Sequence, residues 1–382
     1  MTEKNTMQPA QAADQSDLSR AFAEDGERKT HIGGQALLEG IMMRGKFNWA
    51  VAVREPDGNI YLEEHDLASG RKKNSWLHWP LVRGCTALVE SLALGFKALA
   101  IATEHAFEDD DEPKKDTKLR SCEEGVIEEV TPPRDAAKNA AKEGEDGSTS
   151  VSFISGFAMI IGVVLGLAIF IVAPAFLTNL IVGDYTEGNA LAWNLVDGVI
   201  RIIIFLLYLW LIGRMEDVKR MFMYHGAEHK TIHCYEHQLP LTVENARKFP
   251  RLHVRCGTAF LIMVLLIAII VYTVVPINAI IGALGIPDGP AKFAVIVATR
   301  VILLPLIAGI SYEITVKWAG SHPDNVLVKV ILWPGMQMQY LTTNEPGDEQ
   351  LECAIAAMEQ VLAREEREAA EGGSAEKAPA AA

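Results

Sequence analysis

Cysteine is scarce in this chain. Its 382 residues include five, at Cys85, Cys122, Cys234, Cys256 and Cys353, an odd number with no C-x-x-C pair. No disulfide framework is implied. A signal peptide is also missing, because Met1 to Lys29 is polar and charged and has no apolar core before a cleavage site. No internal repeat of fixed period is visible. Basic residues are outnumbered, 35 Lys and Arg against 49 Asp and Glu, for a net charge of −14. The acidic excess sits in the N-terminus, in Glu108 to Glu145 and in the C-terminal tail, which read as solvating segments. It implies no basic partner, and nothing in the chain points to nucleic acid.

Long apolar runs are present, and they decide the class. They cover Val151–Val182, Leu191–Ile212, Thr258–Val275 and Ala291–Ser311. A helix crosses the hydrocarbon of a bilayer in about 20 residues. The expected fold is therefore an α-helical polytopic membrane protein with four transmembrane helices and a small cytoplasmic α+β N-terminal unit. Gly213 to Gly257 carries Arg214, Lys219, Arg220, Lys230, Arg247, Lys248, Arg251 and Arg255, whereas Gly183–Ala190 and Pro276–Pro290 carry no Lys or Arg. Positive charge stays in the cytoplasm, which puts this loop and both termini on the cytoplasmic side. Gly84 to Thr103 is also apolar, but Arg83, Glu90, Lys97 and Glu104 recur every seven residues as a polar stripe. A charge near the bilayer centre costs about 3 kcal/mol. A fifth span would also turn the basic loop outside. The segment is expected to be buried in a cytoplasmic domain or to lie in the interface.

The expected organisation follows from these patterns. Residues 1–30 read as a disordered N-terminus, 31–107 as the α+β unit with its amphipathic helix, and 108–150 as an acidic linker. Residues 151–212 hold spans one and two, 213–257 the His-rich loop, and 258–312 spans three and four. Residues 313–368 form a cytoplasmic C-terminal region with a helix over Gln350–Glu368, and 369–382 a disordered tail. Within the N-terminal unit, W-A-V-A-V-R, E-P-D-G and N-I-Y-L predict a β-hairpin around a Pro-Asp-Gly turn.

The chemistry concentrates in Y-H-G-A-E-H-K-T-I-H-C-Y-E-H, from Tyr224 to His237. In a helix, the spacing of His225, His229, His233 and His237 stacks imidazoles about 5–6 Å apart on one face. H-G-A-E-H matches H-x-x-E-H, in which two His hold zinc and Glu activates water. The metal candidates are His225, His229, His233, Glu236 and His253, with Glu228 as the catalytic base. The third ligand beside His225 and His229 is left open among Glu236, His233 and His253. His237 is set apart, because it precedes Gln-Leu-Pro, where a helix should end. Gly226 costs about 1 kcal/mol relative to Ala inside a helix. Elsewhere, Asp197 and Arg201 are spaced as a helical pair, with Arg300 at similar depth, which reads as structural pairing more than transport. Glu39, Glu90 and Glu313 are carboxylates in apolar surroundings, each in reach of a metal or a basic partner.

G-G-Q-A-L-L-E-G-I-M-M-R-G (Gly33–Gly45), Y-H-G-A-E-H-K (Tyr224–Lys230) and H-V-R-C-G-T-A-F (His253–Phe260) resemble motifs of the YqhQ-like family. A-G-I-S-Y-E (Ala308–Glu313) and P-G-M-Q-M-Q-Y-L-T-T-N-E-P (Pro334–Pro346) do so as well. These are bacterial membrane proteins of unknown function, often described only as predicted metal-dependent enzymes. The resemblance spans about His31 to Met358, apart from the acidic linker. It implies that Gln35, Glu39, Arg44, His225, Glu228, His229, His253 and Glu313 are the residues that matter.

The functional expectation is a membrane hydrolase that uses a divalent metal, zinc by its donors, and acts on a peptide or lipid-linked ester. Membrane lipids are expected partners, with a protein partner on the cytoplasmic face as a further expectation. The rival readings are a membrane-anchored docking or scaffold protein and a small transporter.

Overall fold

The structure is a computed structural model that describes residues 30–67, 79–107, 160–319 and 325–375, with positions 18, 20, 21 and 77. Nearly all of the N-terminal segment, the whole acidic linker and the end of the tail lie outside the described residues. The chain divides into two compact units. The first comprises residues 1–120, 207–268 and 304–382, and the second 121–206 and 269–303.

The first unit opens with an antiparallel sheet in the order β1 (Gly33–Leu37), β2 (Gly40–Arg44), β3 (Asn48–Arg54), β4 (Ile60–Asp66). The expected β3–β4 hairpin is present, and its turn places Gly58 at φ 88°, a left-handed conformation that glycine tolerates. The β1–β2 hairpin was not expected. Its tight turn holds Glu39 at φ 47°.

Both faces of β2 and β3 are covered. Ile41, Met43, Ala50 and Ala52 join one core with Tyr224, Ala227, Leu351, Ala354 and Met358. The alternate residues Met42, Trp49, Val51 and Val53 join a second core with Ala98, Ala102 and Ala106 of helix α1 (Val82–Ala106). Side chains alternate across a strand, so continuous apolar character in M-M and W-A-V-A-V marks strands buried on both sides.

The helices continue as α2 (Ile160–Val182), α3 (Ala190–Ile212), α4 (Glu216–Glu236) and α5 (Val243–Arg247). Then come α6 (Gly257–Val274), α7 (Ile277–Ala283), α8 (Pro290–Tyr312), α9 (Val326–Thr342) and α10 (Asp348–Ala375). The last runs beyond Glu368, into the segment expected to be disordered.

Among the described residues, four helices are long and apolar enough to cross a membrane, but they are not the four expected. They are α1, α2, α3 and α8 with its π-helical extension to Ala319. The third expected span forms α6, whose 18 residues rise about 27 Å, slightly less than a hydrocarbon core of about 30 Å. α1 qualifies by length and composition, yet its second half is committed elsewhere. Ala98, Ala102 and Ala106 form an i, i+4, i+8 stripe packed on the sheet. A Cβ at Gly95 would meet the Gln35 amide at 2.5 Å. The outer face shows Val89, Leu92, Phe96 and Leu99 to the surroundings.

In the second unit, Arg201 donates to Asp197 at 2.9 Å, Arg300 pairs with the same carboxylate, and Arg300 also reaches Asn194 Oδ1 at 3.1 Å. The guanidinium of Arg300 lies 4.5 Å from the Tyr272 ring centre and 4.9 Å from that of Trp193. The expected structural pairing is what the helices form.

Candidate metal centre

Helix α4 positions the site. Glu216 and Asp217 in its first turn complement the helix dipole. From Tyr224 to Cys234 every residue is buried. A helix this polar can be enclosed only if its side chains find partners inside the protein. Gly226 has a specific reason to be glycine, since a Cβ there would collide with the carbonyl oxygen of Asn344. The close approach of that chain offsets the low helix propensity.

Three imidazoles are each pinned by a backbone carbonyl. His225 Nδ1 lies 2.8 Å from Thr342 O, His229 Nδ1 2.6 Å from Arg251 O, and His233 Nε2 3.0 Å from Leu252 O. A carbonyl only accepts, so the facing nitrogen carries the proton and the other nitrogen of a neutral ring presents a lone pair. Histidines that bind metals are commonly held this way.

The free nitrogens fall into two sets. In the first, His225, His229 and Cys256 bring one donor atom each within 4.8 Å of one another. His225 Nε2 is 3.2 Å from Cys256 Sγ, and His229 Nε2, wholly buried, has no hydrogen-bond partner among the described residues. Burial opposes a thiolate at Cys256, but the charges of His229 and His225 and a hydrogen bond from His225 hold its pKa well below the usual thiol value. Burial opposes charge on His225 too, yet the Cys256 thiolate and Glu228 raise it to about 9.

In the second set, His233, Glu236 and His253 meet by the same 4.8 Å criterion. Burial drives the pKa of both His233 and His253 well down, so both rings are neutral.

The sequence therefore named residues that do assemble, but it grouped them differently. The third group beside His225 and His229 is Cys256, while His233, Glu236 and His253 stand together as a separate set. Cys256 was visible only inside H-V-R-C-G-T, where nothing local marks it as a ligand. Glu228 sits beside the first set. Its Oε1 accepts the Gly34 amide at 2.8 Å, and burial raises its pKa. A Cβ on Gly34 would stand 2.8 Å from the Glu228 carboxyl carbon, so this strand residue must be small. His237 belongs to neither set, since its Nδ1 turns back to His233 O at 2.8 Å.

The other carboxylates are taken by arginines. Glu39 receives both Arg220 nitrogens at 2.5 Å, Glu313 is held by Arg83, and Glu90 lies 3.8 Å from Arg44. Of the two open alternatives for these residues, a basic partner is what the fold supplies.

The family described as "Protein of unknown function (DUF1385)" matches residues 79–364. The chain belongs to that family. It is 31% identical over 332 residues to "Uncharacterized protein YqhQ" of Bacillus subtilis (strain 168), covering 86% of this chain and 92% of the relative. No solved structure matches. The YqhQ-like resemblance is thus sound, and it carries no activity with it.

Proposed function

We propose that this chain is a membrane enzyme that holds a divalent metal, zinc by its donor set, between His225, His229 and Cys256. It would hydrolyse a membrane-associated peptide or lipid-linked ester. One observation carries the reading. Two imidazoles on α4 have their Nδ1 atoms fixed by carbonyls, and Cys256 Sγ completes a set in which the buried His229 Nε2 has no hydrogen-bond partner among the described residues. Two nitrogens and one sulfur suit zinc, and three protein ligands are the usual complement of a catalytic site. Such an ion, when bound, supplies Lewis acidity and lowers the pKa of water.

The chain's own part is positioning and proton transfer. Glu228 is held through one oxygen by Gly34 N–H, and its raised pKa suits a group that must take up a proton and release it. The β-sheet thus fixes the base, and α4 with the Arg251–Cys256 segment fixes the ligands. In this reading α2, α3, α6 and α8 anchor the chain in a bacterial cytoplasmic membrane. The termini and α4 are cytoplasmic, and α1 lies on the sheet with its apolar face in the interface. Asp197, Arg201 and Arg300 are spent on one another, which leaves the transporter reading without a free charge pair.

The test is a panel of labelled peptides and lipid esters presented to the full chain in zinc-containing micelles. Wild type is expected to cleave a member of the panel. Glu228→Gln is expected to bind zinc equally but lose at least about a hundredfold in rate. Equal rates for both proteins would leave the docking role instead.

A further inference from the structure

We infer that His233, Glu236 and His253 form a second cation site, separate from the first set and fully enclosed. His233 and Glu236 are 0% exposed, and His253 3%. The proton of His233 is committed to Leu252 O through Nε2, so Nδ1 presents a lone pair, and Nδ1 has no partner among the described residues. Glu236 Oε2 is likewise buried without a partner. His253 turns Nε2 to within 3.6 Å of that oxygen, just beyond hydrogen-bond length, and Arg255 Nη2 lies 3.4 Å from the same nitrogen. Two buried acceptors without a hydrogen-bond partner are costly unless something with positive character sits between them.

The surrounding contacts hold the donors in place. Gln339 clamps His253 by accepting its N–H at 2.9 Å and donating to its carbonyl at 2.9 Å. Glu236 Oε1 is occupied by the Thr30 amide at 2.8 Å and by Arg255, so Oε2 alone faces the gap. His253 Nδ1 receives only a long 3.3 Å contact from the Arg255 amide. Ligation through Nε2 moves the ring proton to Nδ1, gives up that contact and displaces Arg255 Nη2 from Nε2. Two imidazoles and one carboxylate with no sulfur suit a divalent transition ion, and a site closed to solvent is of the structural kind. Arg255 on the neighbouring oxygen makes it the weaker of the two sites. The His229 and His253 ring centres are 5.7 Å apart, so the sites are neighbours.

Cobalt(II) distinguishes them, because only a thiolate ligand gives an intense sulfur-to-cobalt charge-transfer band in the near ultraviolet. Full-length detergent-purified protein is titrated with Co²⁺, and bound metal is counted by equilibrium dialysis. Wild type should bind two equivalents, only one of which produces the band. Glu236→Gln, which keeps the shape, and His233→Ala should each bind one equivalent with the band intact. His225→Ala should lose the band and keep the other equivalent. If wild type binds no band-free equivalent, water alone fills the gap and the inference fails. It also fails if Glu236→Gln and His233→Ala, both folded by circular dichroism, still bind that equivalent. If the band is missing while the band-free equivalent disappears in Glu236→Gln, the second site stands and the reading of the first set falls.

Discussion

Among the described residues, a buried polar cluster on α3 and α8 contrasts with one on α4. The cluster on α3 and α8 contains its own countercharge, since Asp197 is shared by Arg201 and Arg300 and two aromatic rings cover Arg300. The cluster on α4 collects acceptors instead. At His229 and His233 the ring proton is spent on a carbonyl, and the other nitrogen has no hydrogen-bond partner among the described residues. The first arrangement pairs its carboxylate with both guanidiniums, although Asp197 Oδ1 and Arg300 Nε have no hydrogen-bond partner among the described residues. The second leaves His229 Nε2, His233 Nδ1 and Glu236 Oε2 in that state, with Arg255 as the cation on the Glu236 carboxylate. A buried charged residue alone therefore says little about function; what matters is whether its neighbours neutralise it.

Breaking each cluster should expose the contrast. The largest effect belongs to Asp197→Ala, which strands two buried guanidiniums. Thermal unfolding in detergent should show a loss of about 3–5 kcal/mol, with zinc binding per folded molecule unchanged. Zinc itself should stabilise the wild type by about 2.7 kcal/mol at a hundred times its Kd. His229→Ala should show no such shift in the same unfolding assay, apart from whatever the second site contributes at higher metal. Gly226→Ala should be next. Overpacking against the Asn344 carbonyl costs about 1–3 kcal/mol, partly offset by about 1 kcal/mol of helix propensity, so chemical denaturation should register a net loss. Glu39→Gln should be smallest. Its partner Arg220 is 43% exposed along its side chain, and such a pair contributes about 1 kcal/mol or less. A change in zinc affinity in Glu39→Gln would show that the sheet edge and the α4 site are coupled after all.

Legibility in the sequence followed the range of the interactions. The β3–β4 hairpin was readable because its Pro-Asp-Gly turn and flanking pattern are local. The β1–β2 hairpin was not, because Gly33, Gly34 and Gly40 hide its strand character, and Gly40 is required by the backbone of β3, where a Cβ would meet Ala52 O at 2.5 Å. The face of α4 that carries His225, His229 and His233 follows from a spacing of four. How those residues divide does not, because it depends on which carbonyl takes each ring proton and on where the segment from Arg251 to Cys256 returns. Cys256 became a ligand candidate only through that return. The polar stripe of α1 separates it in the sequence from a plain apolar helix, while its length and composition would let it cross a membrane.

The account rests on Cys256 sharing a metal with His225 and His229. Zinc K-edge absorption fine structure on full-length Glu236→Gln protein, loaded with one equivalent of zinc, tests it most directly. The account predicts one sulfur at about 2.3 Å and imidazole nitrogens at about 2.0 Å, with the sulfur shell lost in the Cys256→Ser double variant. A first shell of nitrogen and oxygen only, unchanged by Cys256→Ser, would contradict it.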